Sequence, residues 1–339
     1  MWLPIIEALK KHHHFVITTH IHPDGDGIGS AAALIELLHS FGKKCRFISD
    51  SPIPEKYKFL DFHQVFEEYD PNKTDLSDVD AVIIVDTSIP NRVGRLASLL
   101  DNKHIVSICI DHHPFEESFT DYALVDSHSC ATGALVHGLF EKAGVPMNIR
   151  AASGIYLSIL CDTCRFSNSC ASGLAHKIAD ECIEIGVDPD EMHSRVFQHV
   201  PLAEIKIFAA ALQRMETYLD DKVVVQEIRQ EDFAALGGQG LELEHIDLDY
   251  ILEFNKAIQE VQCIVLLREL SDNQVRVSLR SKPDFDIREV VKKLGGGGHS
   301  NAAGANVSGS LDYVKKLVIS HLEKIIPSEN CIAFHRSVQ

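Results

Sequence analysis

The sequence is short of positive charge relative to negative charge. Its 339 residues hold 32 Lys and Arg against 49 Asp and Glu, so the formal net charge is −17. Long duplex nucleic acid is bound through a broad basic face of clustered Lys and Arg, and this composition excludes that class of protein. A short anionic substrate is still allowed, because bound divalent cations can reverse the local charge of an acidic pocket.

Membrane-length apolar runs and paired cysteine motifs are also missing. Apolar runs such as residues 81–85 have the length of a strand, and residues 1–11 lack the pattern of a signal peptide. We therefore expect a cytoplasmic protein with no membrane partner. The nine cysteines are an odd number, which argues against a disulfide framework. Cys161 and Cys164 have zinc-ligand spacing, but no second Cys-x-x-Cys pair completes a site, and we interpret them as free thiols.

Apolar strands alternate with helices over the first 190 residues. We predict strands over residues 15–19, 44–49, 80–85, 105–110 and 123–125. We predict helices over residues 27–41, 91–100, 132–143, 149–160 and 172–186. Continuous apolar strands that alternate with helices indicate an α/β fold whose parallel sheet is covered on both faces.

The rest of the chain predicts a connector and a second, smaller domain. Residues 191–219 are predicted to be a helical connector that includes a helix over residues 202–219. Beyond them, the predicted strands cover residues 222–228, 263–269 and 274–280, and the predicted helices cover residues 286–294 and 311–325. A glycine-rich loop over residues 295–305 lies between these two helices.

A histidine and two carboxylates lie where the first predicted strand ends and the next helix begins. Their spacing is His20-x-x-x-Asp24-x-Asp26. Ligands bind at that edge of an open α/β sheet, and imidazole and carboxylate groups in one loop favour a hard-metal site.

Further acids and histidines follow other predicted elements. They are Asp86 after the strand over 80–85, the run Asp111-His112-His113 after the strand over 105–110, and Asp162 after the helix over 149–160. Any one Asp in such a place is usually a turn former or a helix cap. So many carboxylates at one sheet edge would repel each other without cations. We therefore predict two divalent metals that share a bridging Asp.

These motifs resemble the four motifs of the DHH phosphoesterases. The stretch Gly296-Gly297-Gly298-His299-x-x-Ala302-Ala303-Gly304 resembles the signature of the DHH-associated domain. The length and layout resemble the bacterial branch of bifunctional oligoribonucleases (nanoRNases) and phosphatases of 3′-phosphoadenosine 5′-phosphate (pAp). The resemblance implies a DHH catalytic domain over 1–190, the connector over 191–219, and a DHH-associated substrate-binding domain over 220–339 with a cleft between the two domains.

The resemblance also implies an activity. It is the hydrolysis of short RNA (nanoRNA), including linear dinucleotides such as pApA or pGpG, to mononucleotides, together with the conversion of pAp to AMP by the same two-metal site. A homodimer is the family's expected assembly.

Residue roles follow from the same resemblance. One metal would be held by His20, Asp24 and Asp86, and the other by Asp26, Asp86, His112 and Asp162, with Asp86 bridging. Manganese is the family's usual metal. His113 would contact the scissile phosphate or assist proton transfer, and Asp111 would orient His112 from behind.

Residues on the substrate side come from both domains. The backbone N–H groups of Gly296, Gly297 and Gly298 can form an anion-binding concavity. His299 can donate to a phosphate, and Arg280 and Arg165 are candidate phosphate ligands. Cys164 stands where many relatives have Gly, which affects the contacts near Arg165. His22 either touches substrate or is an exposed loop residue, and His12, His13 and His14 are interpreted as a surface cluster.

Three other functions remain as alternatives. A single-strand DNA exonuclease of RecJ type would need more basic surface and usually an added nucleic-acid-binding domain. A manganese-dependent inorganic pyrophosphatase shares the first-domain motifs, but the glycine signature and Arg280 argue against it. An inactive nucleotide-binding sensor would be expected to lack one of Asp24, Asp86 or Asp162.

Overall fold

The computed structural model of the chain describes residues 2–114, 118–198, 200–234, 249–270, 273–298 and 300–326. The chain divides into two compact units, residues 1–199 and 200–339. The predicted connector, residues 191–219, falls on both sides of this division. The domain limits given by the sequence stay a prediction.

A parallel six-stranded sheet forms the centre of the first unit, in the order β3-β2-β1-β4-β5-β6. The strands are β1 His14–Thr18, β2 Lys44–Ser49, β3 Phe66–Glu68, β4 Ala81–Val85, β5 Val106–Asp111 and β6 Tyr122–Val125. The helices are α1 Trp2–Lys11, α2 Gly25–Ser40, α3 Thr132–Ala143, α4 Ile149–Asp162, α5 Gly173–Ile185 and α6 Pro189–Phe197, with 3₁₀ segments over Glu55–Leu60 and Pro90–Asp101. No helix in the described ranges is long and apolar enough to cross a bilayer.

Both faces of this sheet are buried. Phe15 and Ile17 of β1 pack with the helices in the main core cluster. Val16, between them, packs with Val82 of β4 and with the 3₁₀ segment Pro90–Asp101 in a second cluster. Successive side chains of a strand point to opposite faces, so a strand buried on both faces is a continuous apolar run. The predicted parallel sheet is confirmed.

Two predicted helices differ in the structure. The helix over residues 91–100 is a 3₁₀ segment that is interrupted at Gly94, whose φ of 70° and ψ of −143° are not helical. The helix over residues 202–219 ends at Gln213, and a short strand, Glu216–Tyr218, follows it. Helix α1 was not predicted.

The second unit has a mixed six-stranded sheet in the order β11-β12-β10-β9-β8-β7. Its strands are β7 Glu216–Tyr218, β8 Val223–Ile228, β9 Cys263–Glu269, β10 Gln274–Ser281, β11 Gly297–Gly298 and β12 Ala302–Ser308. Its helices are α7 Leu202–Gln213, α8 Gln230–Ala234, α9 Asp249–Asn255, α10 Arg288–Lys293 and α11 Leu311–Leu322. Buried clusters lie on both faces, one with α10 and α11 and the other with α7 and α9. The glycine-rich stretch predicted as a loop therefore contains β11 and the start of β12.

Helices α2 and α4 cross at two glycines, which fixes the helix that begins at the first motif against the helix that ends in Asp162. A Cβ built on Gly29 would lie 2.4 Å from the carbonyl oxygen of Gly154, and a Cβ on Gly154 would lie 2.5 Å from the carbonyl oxygen of Gly29. These contacts are between backbones, so a side chain at either position would force the helices apart.

We expect Gly154→Ala to lower the free energy of unfolding of the first unit by about 1–3 kcal/mol, the usual cost of overpacking. Trp2 is the only tryptophan of the chain and packs against the core of this unit, so its fluorescence in a urea titration reports the change. Gly173→Ala is the matched control, because a Cβ at this helical position meets nothing within 4 Å. Equal stability of the two variants would contradict the close helix crossing.

Candidate metal centre

Asp24 begins α2 as its N-cap. Its Oδ1 accepts hydrogen bonds from the backbone N–H groups of Asp26 at 3.0 Å and Gly27 at 3.2 Å. An N-cap Asp satisfies amides that have no partner within the helix. One carboxylate oxygen is thus used by the helix, which leaves Oδ2 directed at the neighbouring histidine.

His20 lies between two carboxylates. Its Nδ1 is 2.9 Å from the carbonyl oxygen of Ile21, so the ring presents Nε2 on its other side. That Nε2 lies 3.6 Å from Asp24 Oδ2 and 3.4 Å from Asp86 Oδ2. A backbone acceptor on one ring nitrogen fixes the tautomer and leaves the other nitrogen for a metal.

Asp26 caps a helix other than its own. Its carboxylate accepts the backbone N–H groups of Thr132 at 2.8 Å and Gly133 at 3.2 Å, the first residues of α3. The N-cap residue of α3 itself makes no side-chain hydrogen bond. The hydroxyls of Ser30 and Ser158 also donate to Asp26 Oδ1. The positive end of the α3 dipole and four donors therefore satisfy the oxygens of this buried carboxylate.

Asp86 is the carboxylate at the centre of the group. It follows β4 with a left-handed φ of 62°, a conformation that costs energy in a residue other than glycine. The side chain is 3% exposed. Oδ2 faces His20 Nε2, whereas Oδ1 lies 3.7 Å from His112 Nε2 and 3.3 Å from the hydroxyl of Thr132. Each of its oxygens thus faces a different histidine.

The run Asp111-His112-His113 presents two histidines that are held differently. His112 Nδ1 lies 3.3 Å from the carbonyl oxygen of Ser129. His113 Nδ1 instead lies 2.8 Å from Asp111 Oδ1. The contact of Asp111 with His112 is to the backbone N–H of that residue, at 2.8 Å, and not to its ring. The prediction that Asp111 orients the His112 ring is therefore wrong. The carbonyl oxygen of Ser129, from another loop, holds that ring instead.

His112 Nε2 faces three carboxylates. It is 3.5 Å from Asp26 Oδ2, 3.5 Å from Asp162 Oδ2 and 3.7 Å from Asp86 Oδ1. It is buried and has no hydrogen-bond partner among the described residues. Asp162 reaches this point as the last residue of α4, so it lies at a helix end, while the other motifs follow strands.

These separations fit a metal centre. Distances of 3.4–3.7 Å are too long for hydrogen bonds and are close to the spacing of about 3.3 Å between two ligands that share one cation. Four groups of donors among the described residues have ligand atoms mutually within 4.8 Å; three of these groups lie at this site, and Asp86 belongs to two of the three. The three groups at this site are His20, Asp24 and Asp86; Asp26, His112 and Asp162; and Asp86, His112 and His113. Mixed imidazole and carboxylate donors suit divalent transition metals.

Burial and mutual repulsion shift the pKa values of two of these acids upward. Burial, followed by the charges of Asp26, Asp24, Asp162 and Asp111, raises the pKa of Asp86 well above its usual range. Burial and the charge of Asp26 raise the pKa of Asp162 to about 7. Their ionised forms are therefore unfavourable unless a cation is present.

Two other pKa shifts reflect pairing. Burial disfavours the charged form of His20, but the nearby carboxylate of Asp24 raises its pKa overall. Desolvation opposes ionisation of Asp24, yet His20 and the two capping amides hold the pKa of Asp24 well below its usual range. Burial likewise opposes ionisation of Asp111, but the hydrogen bond and charge of His113 keep its pKa below its usual range.

The remaining residues predicted in the first unit lie on the surface. Arg165 is exposed, and its guanidinium lies 5.2 Å from the ring centre of Phe197. Cys164 and Arg165 have left-handed φ values of 48° and 61°. His22 is exposed, also with a left-handed φ, and its backbone N–H donates to Ser51 Oγ at 3.1 Å.

The described residues that are predicted to bind substrate in the second unit lie on or beside β10 and β11, which flank β12. Arg280 of β10 pairs with Ala302 of β12, and Gly298 of β11 pairs with Ala303 of β12. Arg280 and Gly298 thus pair with neighbouring residues of the same strand, β12, from its two sides. Gly296 precedes β11 and packs against β12. His299 lies outside the described residues.

Thr132, Ser158 and Ser129 were not predicted as part of the site. Each holds a predicted ligand by a hydrogen bond from another element. Thr132 could have been found from the sequence, because it is the first residue of a predicted helix that lacks a good N-cap residue and therefore needs a cap from elsewhere. Ser129 acts through its backbone, and Ser158 lies inside a helix, so neither residue type gave a signal.

Stability of the metal-free protein should depend on pH with a definite sign. A group whose pKa is raised in the folded state contributes stability that is lost as the pH rises through its folded-state pKa. For Asp86 and Asp162, whose ordinary value is 3.8, we expect the chelator-treated protein to lose more than about 1 kcal/mol from about pH 5 to about pH 8. Unfolding followed by Trp2 fluorescence measures this.

Asp86→Asn removes the central charge, so the metal-free variant should be more stable than the wild-type protein near neutral pH and should gain less from manganese. Exposed Asp180 of α5 gives the control, Asp180→Asn, which should change neither property. A less stable Asp86→Asn variant that keeps the full manganese effect would contradict this account of the site.

Similar proteins are known by sequence and by structure. "Bifunctional oligoribonuclease and PAP phosphatase NrnA" of Thermus thermophilus is 28% identical over 306 residues, covering 89% of this chain and 87% of that protein. The crystal structure of an exopolyphosphatase-related protein from Bacteroides fragilis has a TM-score of 0.88 at 22% identity and covers 96% of both chains. RecJ of Thermus thermophilus, solved in complex with Mn²⁺, has a TM-score of 0.51 at 16% identity over 95% of this chain and 53% of that chain. The two structures share the fold of this chain.

Two family matches cover most of the sequence. Residues 14–180 match the DHH family, N-terminal domain, and residues 220–326 match the DHHA1 domain. The first range contains every predicted metal ligand, and the second contains Arg280 and the glycine run. The chain therefore carries a DHH family N-terminal domain followed by a DHHA1 domain.

Proposed function

We propose that this protein is a two-metal phosphoesterase that hydrolyses short oligoribonucleotides, including pApA and pGpG, to mononucleotides and converts pAp to AMP. The observation that carries the proposal is a pair of donor groups: His20, Asp24 and Asp86 form one, and Asp26, His112 and Asp162 form the other. Asp86 Oδ1 lies 3.7 Å from His112 Nε2 of the second group. The DHHA1 domain and the name of the Thermus thermophilus relative, an oligoribonuclease and PAP phosphatase, support the substrate class. The predicted cytoplasmic location and homodimer stay predictions.

Two sets of ligands are proposed. His20, Asp24 and Asp86 would hold one cation, and Asp26, His112 and Asp162 would hold the other together with Asp86. The mixed donors and the Mn²⁺ complex of RecJ support manganese. When bound, two divalent cations supply charge stabilisation at the phosphoryl oxygens and activation of water as a nucleophile.

His113 is proposed to move the proton. Asp111 is fully buried and is held ionised by its contact with His113 Nδ1. This contact fixes a proton on Nδ1 and directs Nε2 away from Asp111. As an imidazolium paired with the Asp111 carboxylate, His113 would carry a second proton on Nε2, give it to the leaving 3′-oxygen, and be restored by the proton that the attacking water releases. Water adds to phosphorus as the bond to the 3′-oxygen breaks, and the products are a phosphate group and a 3′-hydroxyl. The same step serves a phosphodiester in pApA and a phosphomonoester in pAp.

The second unit is proposed to hold the end of the substrate that is not cleaved. Arg280 offers a planar fork of donors for a phosphate, and exposed Gly297 and Gly298 allow backbone N–H groups to approach an anion closely. His299 and Arg165 stay as proposed phosphate contacts. A net charge of −17 disfavours long nucleic acids and suits a substrate with few phosphates.

The first experiment compares pApA, a five-nucleotide RNA, pAp and pyrophosphate as substrates with manganese. We expect turnover of the two RNAs and of pAp, and loss of all three in Asp86→Ala, because one site serves both reactions. Product analysis by chromatography measures this. Turnover of pyrophosphate alone would overturn the proposed function, as would nucleotide binding without any turnover.

Asp111→Asn tests the assigned contact with His113. By analogy with other second-layer carboxylates, we expect kcat to fall by about 10–100-fold, while manganese affinity stays near the wild-type value because His112 is held by Ser129. Kinetics and metal titration on the same samples separate the two effects.

Asp121→Asn is the control for this variant, since Asp121 bonds Ser107 near the opposite end of β5. It should leave kcat unchanged. A variant Asp111→Asn with weaker metal binding and normal kcat in saturating manganese would place Asp111 behind the ligand instead.

A further inference from the structure

One arginine of the second unit, Arg276, lies on the sheet face that carries Arg280. Strand β10 alternates strictly between half-buried and buried residues, so Arg276, Ser278 and Arg280 share the face opposite the core formed with α10 and α11. In β12 the partners of these three residues are Asn306, Gly304 and Ala302. Directly paired residues lie on the same face, so small side chains form the floor beside the arginines.

The guanidinium of Arg276 lies over this floor, next to the glycine run. A Cβ built on Gly304 would be 3.4 Å from Arg276 Nη2 and 3.6 Å from its Cζ. Asn306 Oδ1 accepts a hydrogen bond from Arg276 Nη1 at 3.2 Å. Gly304 pairs in turn with Gly297 of β11. The side chain of Arg276 therefore extends over β12 toward β11, whose backbone is proposed to bind phosphate.

The charge of Arg276 is not neutralised by an acid among the described residues, in contrast to other arginines of this unit. Ion pairs at 2.6–2.7 Å join Arg214 to Asp232, Arg229 to Glu227 and Arg288 to Asp286. The side-chain partner of Arg276 is a neutral amide, which orients the guanidinium without cancelling its charge. Such an arginine is available to an anionic ligand.

We propose that Arg276 binds the 5′-phosphate of the nucleotide that carries the leaving 3′-oxygen. This inference rests on the proposed function. Besides the scissile phosphate, pAp and pApA have one phosphate in common, and it is this 5′-phosphate. A protein that acts on both needs one binding site for it, and Arg276 over the glycine floor supplies a fork of donors there. Asn306 is the positioning residue.

Arg276→Ala is tested on two matched pairs of substrates, pApA with ApA and pAp with adenosine 3′-monophosphate. We expect kcat/KM for pApA and pAp to fall about 10-fold or more, as for a lost hydrogen bond to a charged group, chiefly through KM. Turnover of the two substrates without a 5′-phosphate should stay within about twofold of wild type. Arg276→Lys should restore part of the loss, and Asn306→Ala should lose less than Arg276→Ala.

Arg288→Ala is the matched control, because Arg288 is an exposed arginine of the same unit that is already paired with Asp286. It should leave all four substrates unaffected. An equal loss on all four substrates in Arg276→Ala, or no loss on any, would overturn the assignment while the proposed function stands. Absence of turnover of every substrate by the wild-type protein would overturn both.

Discussion

The convergence of carboxylates on Asp86 is the constraint around which the first unit is built. Asp86 has a left-handed backbone conformation. Burial, followed by the charges of Asp26, Asp24 and Asp162, raises its pKa. The fold offsets part of this repulsion with its own donors, as when Asp26 takes the place of a cap for α3. For the rest of this repulsion the described residues supply no donor, so the arrangement fits a site that cations would complete. Stability given up at such a site is a usual cost of function.

The same convergence explains why part of the site could be predicted from sequence. Three motifs follow strands of a parallel sheet, and the carboxyl ends of parallel strands share one edge, so the positions of His20, Asp86 and His112 follow from the strand pattern alone. Asp162 reaches the group from the end of α4, and its place depends on the crossing of α2 and α4 at Gly29 and Gly154. That crossing is a tertiary contact with no local signal.

What sequence could not predict is mostly the support behind the ligands. Ser129 holds His112 through a carbonyl that every residue type has, so its identity carried no information. Adjacency in sequence suggested that Asp111 orients His112. Neighbouring side chains point in different directions, however, and Asp111 contacts the ring of His113 instead. In the second unit, glycine and alanine have low strand propensity, so the start of β12 read as a loop. There the absence of side chains at Gly304 makes room for Arg276.

Under the proposed function, the two units meet the same difficulty, binding an anion with an acidic protein, in different ways. In the first unit, cations held by the gathered carboxylates would carry the positive charge to the phosphate. In the second unit, Arg276 lies over glycine and has no acidic ion-pair partner among the described residues, so the protein itself would supply the positive charge. Because most other arginines described in that unit are neutralised in ion pairs, the attraction is confined to a small patch. A patch of that size recognises one phosphate, whereas long nucleic acids would meet a surface with net negative charge.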